Sequence, residues 1–377
     1  MHKHFARIVL TGFLIAILAF SGINMASAAG KPTPTPPPGP TATPAPVTPI
    51  QIFGAWHCGN HFCDWSLVRN TTPGGEFDTA NHWLIDRGDG RPSVNVVVLS
   101  FVNPLKMLNR TDTGLNNMIP AGMDQNVVNY FKSRGIRVML SIGGITYTAD
   151  WDTVLAANPT QLGLNAAAVA QALGVGIEID YENSSAPNIP GVQAFINAYR
   201  SVLPYDATGA DHAKRLTIDV GAGDRWLIDL NRYATQYWLT TTNPVLDYAN
   251  AMVGGTSSST PADWQEHVDG KPQYSPVVPP LAPAKFTGAL YLKGNIANCN
   301  NFASSEQKAD ANFLQTIAPN GAGVTSGMLG FMFWAAEYPS SRKGYTATIP
   351  PNTCELGMGV AATTFNIPLP MPSLRQQ

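Results

Sequence analysis

Eight short apolar runs rich in β-branched residues recur along the chain after residue 49, and stretches of helical periodicity separate several of them. This alternation is typical of parallel strands joined by crossover helices. Eight such strands close most simply into an α/β fold of the (β/α)8 TIM barrel type, whereas a doubly wound open sheet or a β-sandwich fits less well. The predicted strands are Ile50–Trp56, Val94–Phe101, Val138–Ser141, Val175–Tyr181, Leu216–Val220, Tyr248–Val253, Ala289–Leu292 and Met328–Trp334.

Several stretches between the strands carry small or apolar residues at three- and four-residue spacing, as helices with one buried face do. Residues 50–377 match the length of one barrel, which needs about 250 residues plus insertions. We therefore expect a single domain there. The predicted helices are Asp124–Ser133, Leu162–Leu173, Val192–Leu203, Leu227–Tyr237 and Ser304–Ile317.

Residues 1–28 have the pattern of a secretory signal peptide. A start rich in His, Lys and Arg precedes an apolar run from Ile8 to Phe20, and small residues follow at 26–28. The apolar run is shorter than the roughly 20 residues that a membrane span needs. We expect a secreted, extracellular protein without a membrane span after cleavage, with an uncleaved N-terminal anchor as the alternative.

Residues 29–49 alternate Pro with Thr, Ala and Gly. Such a composition cannot bury a core and favours extended polyproline II geometry. The segment is predicted to be a linker, either a solvated tail or a stalk that holds the folded domain away from a surface.

Charge excludes some partners. The chain has 23 Lys and Arg against 25 Asp and Glu, a formal net charge of −2, and only 13% charged residues. No basic field exists to attract nucleic acid or an anionic membrane. A neutral, polar or insoluble substrate fits better, and we expect a monomer.

Four cysteines suit an oxidising compartment and two disulfides. Cys58 and Cys63 are close in sequence, which leaves Cys299 to pair with Cys354, although other connectivities are possible. A zinc site is the rival interpretation, since two His lie beside the first pair. A C-x4-C spacing without a second matched pair is weak metal evidence, so we expect no metal.

The predicted fourth strand is unusual because a buried parallel strand should be almost continuously apolar. Side chains alternate faces along a strand, with successive members of one face about 6–7 Å apart. Three acids therefore face the barrel interior, and in a low-dielectric interior they cannot all ionise cheaply. The inward acids are Glu178, Asp180 and Glu182, and the outward residues are Ile177, Ile179 and Tyr181.

At least one of these acids should hold a proton at neutral pH, which is what a general acid requires. Glu182 comes last on the strand and nearest the C-terminal face, where barrel active sites lie. Asp180 beneath it would tune or share the proton. The structural alternative is a polar plug or a salt-bridged ladder in the barrel floor.

The same strand resembles the D-G-x-D-x-D-x-E motif of glycoside hydrolase family 18, the chitinases and endo-β-N-acetylglucosaminidases. Gly176, Asp180 and Glu182 match it, while Val175 and Glu178 replace its first two Asp. The resemblance implies that Glu182 protonates the glycosidic oxygen. It also implies that Asp180 orients the substrate's 2-acetamido group, whose carbonyl attacks the anomeric carbon in place of a protein nucleophile.

Three further segments resemble the family in the same order. Ser141-Ile142-Gly143-Gly144 looks like its S-x-G-G, with Ser141 able to donate a hydrogen bond toward the acids. Gly330–Trp334 resembles strand eight, whose Trp forms the floor under the sugar. Residues 247–252 resemble strand six with Met252 at the substrate site, but Val253-Gly254-Gly255 follows where the family has a Tyr that binds the acetamido carbonyl.

The resemblance thus implies a secreted retaining glycosidase that cleaves β-1,4-linked N-acetylglucosamine in chitin-like polysaccharides or oligosaccharides, without a cofactor. The changed positions favour the alternative, a chitinase-like carbohydrate-binding protein that does not hydrolyse. Tyr147 is the predicted replacement for the missing Tyr, because it follows the strand-three motif at the same barrel face. About half of six aromatic residues are expected to line a sugar groove. These are Trp56, Trp65, Tyr147, Trp151, Trp226 and Trp264.

Overall fold

The computed structural model describes residues 52–58, 70–75, 77–78, 81–85, 92, 94–221, 226–252, 260–291 and 328–334. The predicted signal peptide, linker and helix at 304–317 lie outside these residues. So do three of the four Cys, and so both predicted disulfides. Among the described helices, none combines the length and apolar character needed to cross a bilayer.

Eight parallel strands form a closed barrel in which each strand pairs with the next along the chain and β8 pairs with β1. This confirms the predicted (β/α)8 fold, and each predicted strand overlaps an observed one. The observed strands are β1 Ile52–Cys58, β2 Val96–Val102, β3 Arg137–Gly143, β4 Gly176–Asp180, β5 Leu216–Val220, β6 Ala249–Ala251, β7 Phe286–Tyr291 and β8 Gly330–Trp334.

Helices follow most strands and begin at recognisable caps. Asp124, Asn158 and Asn188 each accept hydrogen bonds from the first free backbone N–H groups of a helix, which is why these helices start where they do. The helices are α1 His82–Ile85, α2 Pro104–Asn109, α3 Gln125–Lys132, α4 Thr148–Ala157, α5 Pro159–Leu173, α6 Ile189–Val202, α7 Ile228–Tyr233 and α8 Thr260–Asp269, and a π-helical turn at Ala234–Trp238 follows α7.

Two apolar layers hold the barrel. The larger lies between the strands and the helices and includes the outward Ile177, Ile179 and Tyr181 of β4. The smaller fills the lower barrel interior and includes Trp56 and Met139. Residues along the inward face of β3 and β4 then become polar toward the C-terminal ends, so the apolar floor supports a polar mouth.

Candidate active site

The three acids of β4 occupy the positions that strand alternation predicts. Glu178 and Asp180 lie within the strand, Glu182 follows two residues after its end, and all three are buried, with Glu182 9% exposed. Tyr181 points the other way, toward the helices, where its hydroxyl donates to Asp152. The acids therefore share the barrel interior near its C-terminal face.

A fourth acid, Asp219 on β5, joins them and is 1% exposed. The register pairs Ile179 with Ile218, so Asp219 lies level with Asp180 on the neighbouring strand. None of these four carboxyls forms an ion pair with a described Lys, Arg or His. Four carboxyls thus sit together without a described cation to balance them.

The lower pair of acids is Glu178 and Asp219, joined by a hydrogen bond. Glu178 also accepts from the indole N–H of Trp56 at 2.7 Å and from the amide of Asn250 at 2.5 Å. Asn250 in turn accepts from the Thr287 hydroxyl at 2.5 Å. Strands β1, β4, β5, β6 and β7 therefore meet in one polar network that fixes the Glu178 carboxylate.

Protonation follows from these contacts. Burial raises the pKa of Glu178, but its donors Trp56 and Asn250 favour the ionised form and oppose the rise. Burial and the negative charges of Glu178 and Asp180 hold the pKa of Asp219 well above its usual range. Asp219 is therefore the protonated partner, and it donates to Glu178.

The upper pair is Asp180 and Glu182. Burial, then the charges of Glu182 and Glu178, hold the pKa of Asp180 well above its usual range. Burial raises the pKa of Glu182 to about 7, while hydrogen bonds from Asp180 and from the backbone N–H of Ile145 oppose the rise. Glu182 thus exchanges its proton near neutral pH, as a general acid and base must.

Two glycines bring the β3 loop against this pair. Gly143 and Gly144 have φ values of 124° and 87°, which L side chains rarely adopt. A Cβ on Gly143 would lie 1.8 Å from the backbone oxygen of Asp180, and the Gly144 N–H donates to that same oxygen at 3.0 Å. The S-I-G-G segment is therefore needed to place Ile145 beside Glu182.

The other predicted site residues lie around the same end of the barrel or its interior. Ser141 is buried on β3, level with Glu178 on β4. Trp334 ends β8, is partly buried, and stacks on Phe101 with ring centroids 5.4 Å apart. Tyr147 is 7% exposed in the turn that follows Gly144.

Met252 follows the end of β6 and is partly buried against the outer apolar layer. Its backbone N–H donates to the Val220 carbonyl at 2.5 Å. Asp247, which begins the same motif, lies at the opposite end of β6, where it binds Arg200 at 3.1 Å. The positions that follow Met252, where the family's Tyr is missing, lie outside the described residues.

Most of the expected groove aromatics serve other roles. Trp151 and Trp264 are fully buried in the outer layer, and Trp56 is used to bind Glu178. Trp226 is 38% exposed. Trp65 lies outside the described residues.

Among the described residues, no group of His, Cys, Asp and Glu side chains has an arrangement that could hold a metal ion. Zinc at the first cysteine pair was the rival prediction. Cys63 and His61 lie outside the described residues, so that prediction stays untested. The carboxyl cluster itself is arranged around protons, because its members hydrogen-bond one another directly.

Sequence reasoning missed Asp219 and the contacts of Trp56 and Asn250. Asp219 had a signal: in Leu216–Val220, Thr217 and Asp219 alternate with apolar residues as the acids of β4 do. No sequence pattern indicates the donors to Glu178, because Trp56 is 122 residues away from Glu178 in the chain and contacts it only in the closed barrel.

Asp219→Asn should stabilise the protein more at pH 8 than at pH 5. The folded chain holds this proton to a higher pH than the unfolded chain does, so this carboxyl lowers stability as pH rises, and the amide removes that loss. Thermal unfolding of both proteins at both pH values measures it. The exposed Asp229→Asn is the matched control, and an equal shift in Tm for Asp219→Asn at the two pH values would contradict the cluster's protonation.

No protein-family model matches the sequence, and no curated protein sequence matches it. Several solved structures are similar to the structure of this chain. A family 18 chitinase from Pseudoalteromonas aurantia is 14% identical, with 75% of this chain and 93% of that chain covered and a TM-score of 0.45. A chitinase from Aspergillus fumigatus is 14% identical, with 78% and 94% covered and a TM-score of 0.46.

An endo-β-N-acetylglucosaminidase from Cordyceps militaris is also similar, at 14% identity, with 85% of this chain and 92% of that chain covered and a TM-score of 0.44. Identities this low do not carry the activity of those proteins over to this chain.

Proposed function

We propose that the chain is a glycosidase that hydrolyses β-1,4-linked N-acetylglucosamine glycans with retention of configuration, with Glu182 as general acid and base. The observation that carries this proposal is the buried Asp180–Glu182 pair at the barrel mouth, in which the pKa of Glu182 is about 7. A purely structural polar plug in the barrel floor would not require a carboxyl at the barrel mouth whose pKa lies near neutral pH.

Each residue has one task in the proposed reaction. Glu182 gives its proton to the glycosidic oxygen as the bond from that oxygen to the anomeric carbon breaks, and the acetamido carbonyl oxygen of the substrate forms a bond to that carbon. Water then attacks the anomeric carbon and gives its proton to Glu182 as the bond from that carbon to the acetamido oxygen breaks. The acetamido group is thereby restored, and Glu182 is protonated again. The configuration is retained because the carbon is displaced twice.

Asp180 suits the positioning of the acetamido group. One of its oxygens, Oδ1, is buried and has no hydrogen-bond partner among the described residues. That oxygen is an acceptor for the acetamido N–H, while the hydrogen bond to Glu182 keeps the carboxyl in place. A buried acceptor without a partner is costly unless a ligand or water uses it.

The changes from the family motif fall below the reacting centre. Val175 is fully buried before β4, where it packs in the outer apolar layer. Glu178 lies one layer beneath Asp180 and is held by Trp56 and Asn250, so its longer side chain still provides an anchored carboxylate. Both substitutions are compatible with a working upper pair.

The rival function is a glycan-binding protein that does not hydrolyse, and the absence of the family's Tyr after Met252 favours it. A fluorogenic chitobioside or chitotrioside assay beside a chitin pull-down separates the two. Turnover that falls as the pH rises through about 7, where Glu182 loses its proton, supports the enzyme. Retention on chitin without turnover supports the binding protein.

Tyr147→Phe should lower the rate of chitobioside hydrolysis by about 10²-fold, because one preorganised hydrogen bond to the acetamido group would be lost. Tyr147 lies two residues beyond Ile145, whose N–H reaches Glu182. The effect should fall on kcat more than on KM. Tyr237→Phe, at a half-exposed tyrosine, is the control, and an unchanged rate in Tyr147→Phe would remove Tyr147 from the site.

Secretion is part of the same proposal. The pattern of residues 1–28 supports export, and an insoluble extracellular glycan is a substrate that only an exported enzyme reaches. N-terminal sequencing of the protein recovered outside the cells of its source would locate the cleavage site.

A further inference from the structure

The opposite end of the barrel carries a cluster of basic side chains. Arg137 is the first residue of β3, Arg215 directly precedes β5, and His212 lies in the short turn before it. These three line a narrow cavity of about 10 Å³, roughly the space of one water molecule, at the N-terminal end of the barrel. Lys132, at the end of α3, adds a fourth basic group that acts on His212.

No described carboxylate pairs with the two arginines. The nearby acids are engaged elsewhere: Asp211 binds Lys214 at 3.6 Å, and Asp247 binds Arg200 at 3.1 Å. The Nε atom of Arg215 is buried and has no hydrogen-bond partner among the described residues. A buried guanidinium donor without an acceptor costs free energy, which a water in the cavity or an anion oxygen would offset.

The pKa values of Arg137 and His212 show that these basic side chains repel one another. Burial, then the charge of Arg215, lowers the pKa of Arg137 to about 10. Burial, then the charges of Arg137, Arg215 and Lys132, lowers the pKa of His212 to about 4, although Asp211 opposes this. The positive field is local, since the whole chain has a formal net charge of −2.

Packing explains part of this arrangement. The Arg215 Cβ lies against Gly176, where an added Cβ would be only 3.0 Å away, and its guanidinium lies 5.7 Å from the centre of the Tyr248 ring. Arginine stems often cover apolar surface in this way. Packing of the stems does not account for two neighbouring guanidinium groups that have no carboxylate partner among the described residues.

We propose that Arg137, Arg215 and His212 bind one small tetrahedral oxyanion, sulfate or inorganic phosphate, at the N-terminal end of the barrel. Guanidinium groups present paired N–H donors that match the oxygens of such an anion. Sulfate and phosphate are larger than this cavity, so the anion would bind at its mouth, where Arg137 and Arg215 are half-buried. This site does not depend on the proposed function, because the acids lie at the other end of the strands.

An anion here would tie together elements that are distant in sequence. Arg137 begins β3, Arg215 directly precedes β5, and Gly176 at the start of β4 lies between them. Binding to the folded state alone raises stability with anion concentration and then levels off. A bound anion would therefore stabilise the N-terminal end of the barrel, where β3, β4 and β5 begin.

Thermal unfolding of the full chain in sodium sulfate, against sodium chloride at equal ionic strength, tests the proposal. We expect a sulfate-specific rise in Tm of about 3 °C or more that saturates with concentration. Arg215→Gln and Arg137→Gln should each abolish that rise. Each should also raise Tm in the absence of sulfate, because the repulsion between the two arginines is relieved.

Lys106→Gln, which removes one exposed charge from α2, is the matched control and should keep the full sulfate response. An equal sulfate response in all four proteins would overturn the site, since it would reflect a general salt effect. If the arginine variants fail to fold, calorimetric titration of the unaltered chain with sulfate decides. Saturable binding of one sulfate supports the site, and the absence of binding overturns it.

Discussion

Glu182→Gln should lower the rate of chitobioside hydrolysis by about 10²–10⁴-fold and leave folding and chitin binding nearly unchanged. The amide keeps the shape of the side chain but has no transferable proton, and general acid catalysis alone contributes that range. Tm should stay the same or rise, because a carboxyl buried beside Asp180 is replaced by a neutral group. Steady-state kinetics and a chitin pull-down on the same preparation measure both properties.

Glu266→Gln is the matched control. Glu266 is partly exposed and binds Lys271 at 2.7 Å, so the variant should hydrolyse at the parental rate. If Glu182→Gln keeps the parental activity, another group supplies the proton and the assignment of Glu182 is wrong. If it loses chitin binding together with activity, the change has disturbed the site itself.

Asp180→Asn should lower kcat by about 10²–10³-fold with little change in KM. Its carboxyl both accepts the acetamido N–H and shares a proton with Glu182. An amide in its place keeps the shape but cannot release a proton and become negative as positive charge develops in the transition state. Asp229→Asn, at an exposed Asp 49% accessible to solvent, controls for the loss of a carboxyl. A pure rise in KM would mean that Asp180 only binds substrate.

The β4 acids were predictable because two rules act on the same five residues. A buried parallel strand should be apolar, so each acid stands out, and strand alternation assigns all of them to one face. The same reasoning applies to Thr217 and Asp219 of β5. A single acid near the end of a short strand is common, however, so the pattern of β5 does not by itself predict a site residue. Only the register with β4 places Asp219 beside Asp180.

The remaining differences have local causes. Helix α4 has only Trp151, Val154 and Leu155 buried, which gives too few apolar positions for a clear helical period. Strand β7 begins three residues before its predicted start because Gly288 interrupts its apolar pattern. That glycine is required, since a Cβ there would lie 2.8 Å from the Trp264 ring.

Partners across the barrel are beyond sequence reasoning. Glu178 receives its donors from β1 and β6, and both contacts exist only because eight strands close with a fixed stagger. The same holds for the basic cluster, since strand β4 and helices α4, α5 and α6 lie between Arg137 and Arg215 in the chain. Sequence predicted which residues are unusual, and the closed barrel determines which of them meet.

The most direct measurement of the central claim compares two fluorogenic disaccharides, a β-chitobioside and a β-cellobioside, with the unaltered protein. They differ in the acetamido or hydroxyl group at carbon 2 of each sugar. Substrate assistance predicts turnover of the chitobioside, lost in Glu182→Gln, and no measurable turnover of the cellobioside. Comparable turnover of both would contradict substrate assistance, because a nucleophile other than the acetamido group would then attack the anomeric carbon, and turnover of neither would leave a barrel that does not hydrolyse.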